Sequence, residues 1–124
     1  NNQKLADLEK WEFTALQFQK DKDAELLKRI NGMFRYVSFS FVNEQLNGGE
    51  KLTCVCTVNG TPFLDVNNAG QINAGIDIIN AICTAKGVSA PIFVDNAESV
   101  NQIIPSLSQI IRLVVTTDKE LTIK

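Results

Sequence analysis

The chain has 124 residues, 44% hydrophobic and 21% charged, with a formal net charge of −2, which fits one ordinary globular domain, or part of one, and gives no global basic surface for nucleic acid. No apolar run approaches the roughly 20 residues that span a bilayer and no charged-then-apolar leader stands first, so a cytoplasmic chain is expected. With no histidine, Ser-His-Asp and Cys-His catalysis are excluded, and three cysteines, Cys54, Cys56 and Cys83, lack a fourth partner for a tetrahedral zinc site.

The chain begins Asn1-Asn2 rather than Met, as a processed chain, a tag-cleaved product or a piece of something longer would. Residues 3 to 31 hold helix formers and neither Gly nor Pro, and Leu8, Trp11, Ala15 and Phe18 recur at spacings of 3, 4 and 3. The stripe weakens at Lys20 to Asp23 (KDKD) and resumes with Leu26, Leu27, Ile30 and Met33. Two helices, or one long helix leaving the body, both fit. The face reads either as a surface helix packed on the core or as the stub of a coiled-coil arm spanning 1–31.

From Phe34 the period changes to two. Val37, Phe39 and Phe41 alternate with Ser38 and Ser40, then a turn at Asn47-Gly48-Gly49 leads to Leu52, Cys54, Cys56 and Val58 alternating with Thr53, Val55 and Thr57. An antiparallel hairpin over 34–58 is expected, followed by a second turn at Asn59-Gly60. Cys54 and Cys56 share one face of the second strand, where free cysteines act as small apolar side chains in the core.

Asp65 or Asn67 can cap a helix over 67–86, with Ile72, Ile76, Ile79 and Cys83 on one face and Gly87 at its end. Pro91 to Asp95 (PIFVD) has no polar residue before its last, as in a strand covered on both faces. A short helix from about Glu98 to Ile104 is expected, broken at Pro105, then a second buried strand over 109–117 beginning QIIRLVVT, and an edge strand at Leu121 to Lys124. Helix, buried strand, short helix, buried strand implies parallel pairing with right-handed crossovers. The fold class is α/β.

An Asn- and Gly-containing turn opening a helix offers N–H groups to an anion, and a carboxylate ending a buried strand is where open α/β sheets bind ligands. This order resembles the C-terminal half of the nucleotide-binding head of ABC-type ATPases, in the SMC, SbcC and RecN branch of P-loop NTPases. It looks closest to phage-encoded SbcC-like recombination ATPases, with an Asn-rich turn before INAGIDI and a Walker B strand running into Asp-Asn. The resemblance covers the chain from about residue 20 onward and makes 32–124 the C-terminal lobe of the head.

It implies a signature motif at Asn68-Ala69-Gly70-Gln71, which stands 27 residues before Asp95 (68 to 95), and which would meet a nucleotide held by another subunit. Leu46 to Lys51 reads LNGGEK, one substitution from the family signature. It ends 44 residues before Asp95 (51 to 95) and is followed by alternation instead of a helix, so a hairpin turn explains it better.

On the same resemblance Asp95 is the Walker B carboxylate that holds Mg²⁺, and Asn96 stands where the family has its catalytic Glu. An amide can position water but cannot take its proton, so hydrolysis is expected to be slow unless Glu98 substitutes. Ser99 and Asn101 fall in the D-loop, and Thr117 at the H-loop histidine. No Walker A motif occurs.

The implied protein is therefore half of a DNA repair or recombination ATPase. It would use ATP and Mg²⁺ only with an N-terminal Walker A lobe, form a homodimer through ATP, and work with a nuclease subunit and DNA. Two other classes fit the residues. One is a non-enzymatic interaction domain with an ATPase-like half-fold, dimerising through helix 1–31. The other is a small hydrolase using Asp95 and Glu98 as a carboxylate pair, which no nucleophile accompanies.

Overall fold

Helix α1, Asn2–Asn31, runs for 30 residues without interruption. At the KDKD stretch, where the apolar stripe lapses, side-chain pairs one turn apart bridge it: Gln17 donates to Asp21 at 3.0 Å and Gln19 to Asp23 at 2.8 Å. Arg29 and Glu25 add an ion pair at 2.9 Å. Pairs at this spacing each stabilise a helix by about 0.2–0.5 kcal/mol, which carries one helix across the gap in place of two. The computed structural model describes residues 1–46 and 49–123. It divides into two compact units, Asn1–Met33 and Phe34–Lys124. Among the described residues of α1 none is buried, and Trp11 is 74% exposed.

In the second unit, β1 (Val37–Leu46) pairs antiparallel with β2 (Gly49–Val58), in register from Val37↔Val58 to Leu46↔Gly49. The expected hairpin is present. Asn47 and Gly48 of the LNGGEK turn lie outside the described residues. Asn59 and Gly60 take φ of 51° and 82° and join β2 to β3 (Thr61–Pro62). Left-handed backbone at both central residues is what a two-residue hairpin loop of the I′ kind requires, hence Asn-Gly.

Alternation holds at the base of the hairpin and fades outward. Val37 and Val58 are buried and Phe39 and Cys56 half-buried, whereas Cys54 is exposed and Leu52 is 54% exposed. The expectation that Cys54 packs in the core is corrected here, because the helix beneath the hairpin covers only its base.

That helix is α2, Asn68–Lys86. Asn67, not Asp65, caps it, accepting from the Gly70 N–H at 2.8 Å, while Asp65 belongs to a 3₁₀ turn, Phe63–Asp65. Gly87 ends it at φ 65°, with Gly87 N–H on Thr84 O and Val88 N–H on Cys83 O, the paired bonds of a Schellman motif that only a residue at ease in the left-handed region completes.

Two cores meet on α2. Ala74 packs with Val37 and Val58, with Phe34, Phe39, Phe63 and Ile78 around them. Ile76 packs with Ile92, Val94 and Ala97, flanked by Ile72, Ile79 and Ile110. A helix covered from two directions needs apolar residues around most of its circumference.

Beyond α2, β4 (Ile92–Val94) and β5 (Ile110–Arg112) pair in parallel, Phe93 opposite Ile111. The parallel arrangement agrees with the expectation, and among the described residues the architecture is mixed α/β with two α-helices and two small sheets. Four details differ.

Phe93 is 64% exposed, so β4 is covered on one face only. The strand expected over 109–117 is confined to Ile110–Arg112, and Leu113, Val114 and Val115 are exposed. The helix expected over 98–104 is a single 3₁₀ turn, Ala97–Ser99, after which 102–106 is irregular. Residues 121–123 form no strand, and Lys124 lies outside the described residues. For the strands the cause is coverage: the parallel pair packs on its α2 side while Phe93 on the other is exposed, and apolar composition alone does not keep a strand extended.

Candidate functional site

The turn that opens α2 is committed to its own structure. Beyond the Asn67 cap, Gln71 Nε2 donates to the carbonyls of Phe63 and Val66 at 3.2 and 3.1 Å, closing the 3₁₀ turn that delivers the chain into the helix. A Cβ added at Gly70 would fall on Cγ1 of Val66 and 3.2 Å from the capping oxygen of Asn67. Glycine is required there for close packing, since its backbone is ordinary helix.

Asn68 reaches outward. Its Nδ2 donates to Ser99 Oγ at 2.5 Å, and Ser99 Oγ donates to Asn96 O at 2.8 Å. Two positions 31 residues apart, the signature Asn68 and the D-loop Ser99 of the sequence reading, are thereby joined.

At the end of β4, Asp95 is exposed and its Oδ1 accepts the N–H of Asn96 at 2.9 Å. Asn96 holds φ 53°, a left-handed position that Asn tolerates better than most residues. The sharp turn there buries Ala97 completely. Ala97 N–H donates to Leu113 O at 3.1 Å, and Arg112 Nη2 donates to Ala97 O at 3.1 Å. Glu98 is exposed on the 3₁₀ turn.

An open groove of about 600 Å³ lies between the α2 start and the segment after Ser99, lined by Tyr36, Ala69, Asn73, Ser99, Asn101 and Ile104 among others. Of the expected site residues it gathers Ala69, Ser99 and Asn101, with Asn68 tied to its rim. Asp95, Asn96, Glu98 and Thr117 do not line it. Thr117 lies past the end of β5, exposed, so no strand aims it at a ligand.

Three residues that build this groove were not singled out from sequence. Asn73 donates from Nδ2 to Gln102 O and accepts from Ile104 N–H, both at 3.0 Å. Asn80 donates to Pro105 O at 3.0 Å and accepts from Ser106 Oγ at 2.5 Å. Together they supply the partners that the irregular 102–106 backbone would otherwise lack.

Asp77, 4% exposed, accepts from three successive backbone N–H groups: Arg35 and Val37 at 3.0 Å and Tyr36 at 2.6 Å. This fixes the start of β1 and with it the Tyr36 wall. The signal available in the sequence was the spacing itself: Asn73, Asp77 and Asn80 form a polar stripe at intervals of 4 and 3 through the apolar middle of the helix.

The polar groups of its lining are amides, a serine hydroxyl and a tyrosine, beside the apolar Ala69, Val100, Ile103, Ile104 and Pro105. Among the described residues no group of three or more His, Cys, Asp or Glu could hold a metal, and no helix is long and apolar enough to cross a membrane. Asp95 alone, one exposed carboxylate with Oδ1 already engaged, fits Mg²⁺ only as one donor of a site completed elsewhere. Comparison with family models, with curated proteins and with solved structures found no match, so the groove and the Asp95 turn are interpreted from their own chemistry.

Proposed function

We propose that the chain is the C-terminal lobe of an SbcC-like ATPase head of the P-loop class, acting in DNA repair or recombination with a nuclease subunit. The observation that carries this reading is the Asn68–Ser99 hydrogen bond, because the resemblance assigns those two residues to the signature and the D-loop, which act together at a subunit interface.

The half-covered parallel pair supports it too. All-parallel sheets are ordinarily buried on both faces, and the exposed Phe93 leaves an apolar surface for a neighbouring lobe. In the complete protein Asp95 would contribute one oxygen toward Mg²⁺, which when bound offsets phosphate charge during phosphoryl transfer. Asn96, with its N–H held by Asp95, can orient water but not deprotonate it. Glu98 sits on the next turn as the remaining acid. ATP-dependent dimerisation with slow turnover follows.

The test begins with the coding sequence upstream of Asn1, where a Walker A motif followed by heptads is expected. Sedimentation of that longer protein with and without ATP and Mg²⁺ should give a nucleotide-dependent dimer that Asn68→Ala and Ser99→Ala each weaken. A parent reading frame without Walker A, or association indifferent to ATP, would overturn the reading. The exposed Trp11, Phe13 and Phe18 of α1 favour a second one, a non-enzymatic domain that self-associates through 1–31. It predicts a stable oligomer of the 124-residue chain with or without nucleotide.

A further inference from the structure

All three cysteines lie outside this site. Cys54 and Cys56 stand two apart on β2, opposite Phe41 and Phe39 of β1. Side chains at i and i+2 of a strand project from the same face, with their Cβ atoms about 6.7 Å apart, twice the rise per residue. That is too wide for a disulfide, whose Cβ atoms lie about 3.8 Å apart.

It suits a single ion held between two sulfurs, which lean toward each other until they are about 4.6 Å apart, twice a metal–sulfur bond of about 2.3 Å. Zinc is excluded by ligand count: the chain has no histidine, and no third Cys, Asp or Glu joins the pair among the described residues. A cation content with two thiolates in line is monovalent and soft, and thiolates select Cu(I) on that ground.

We propose that Cys54 and Cys56 form a two-thiolate site for Cu(I). The exposed Cys54 is the point of entry and the half-buried Cys56 the inner ligand. Binding replaces two S–H bonds with two Cu–S bonds, releases two protons and leaves copper as Cu(I). Because both thiol protons are displaced, affinity rises with pH, on the order of 100-fold per unit below the thiol range.

The reduced full chain, titrated without oxygen with Cu(I) supplied as its bicinchoninate complex, should take one ion per chain by native mass spectrometry and by loss of the complex's colour. Cys54→Ser, on an exposed side chain that folding does not depend on, should abolish uptake, as should Cys56→Ala. Cys83→Ser should leave it intact. Uptake that survives Cys54→Ser, that is lost with Cys83→Ser, that needs two chains per ion, or that fails in the unaltered chain overturns the proposal.

Discussion

Replacing Asp77 by Ala removes one carboxylate and strands three backbone donors, those of Arg35, Tyr36 and Val37. Hydrogen bonds to a charged group each contribute about 1.5–3 kcal/mol net, and a buried donor without a partner costs about 1–3 kcal/mol. These terms overlap, and removing the buried charge returns part of its desolvation cost. A net loss of about 3–5 kcal/mol is expected, the range found when one side of a buried charged interaction is deleted. Asp77→Asn keeps one acceptor oxygen but turns an N–H₂ toward the same amides, so it should cost roughly half as much.

Against a domain stability of about 5–15 kcal/mol this is severe, and at a slope near 1.5 kcal/mol/M it corresponds to a urea midpoint lowered by about 2–3 M. The sole tryptophan, Trp11, lies in α1, so its fluorescence reports the wrong unit. Amide hydrogen exchange resolved to residues 35–37 reports the right one. A variant within about 0.5 kcal/mol of the parent, with those three amides still protected, would refute the reasoning, since surface substitutions stay within that margin.

Gly70→Ala should lower stability by about 1–3 kcal/mol, because the new methyl falls on Val66 and crowds the Asn67 cap; an unchanged thermal midpoint would show that Val66 yields freely. Cys56 gives a pH dependence. Its folded-state pKa is raised above 9.0, so the unfolded chain loses its proton first, and the stability present below about pH 9 declines as pH climbs through the folded value. Denaturation at pH 8 and 10 should show this decline in the parent and less of it in Cys56→Ala; parallel declines would remove Cys56 as the cause.

The elements legible in the sequence were those whose cause is local. The 1–31 helix, the Asn59-Gly60 turn, the Asn67 cap and the Gly87 stop each follow from backbone preferences within a few residues. What was not legible depended on coverage. PIFVD has the composition of a strand buried twice over, but composition does not tell whether anything lies against Phe93. Residues 98–104 carry helical spacing, yet Asn73 holds Gln102 and Ile104 by their backbone groups, and a peptide group engaged there has no call to join a helix. Of the site, Asn68 and Ser99 were singled out through the family resemblance alone, and their hydrogen bond and the groove beside it needed the tertiary fold.

The polar stripe on α2 explains why the groove exists at all. An apolar helix with two cores on it would collapse the 102–106 segment against itself only if that backbone found hydrogen-bond partners, and α2 supplies them from Asn73 and Asn80 while Asp77 holds the opposite wall at Tyr36. Asn73 and Asp77 are fixed by bonds to main chain, and Asn80 by Pro105 O and the Ser106 hydroxyl, so the groove walls are set largely by backbone positions, and the capping oxygen of Asn67 and the hydroxyl of Ser99 are themselves engaged in that frame. Preorganised polar groups of this kind lose little entropy on binding.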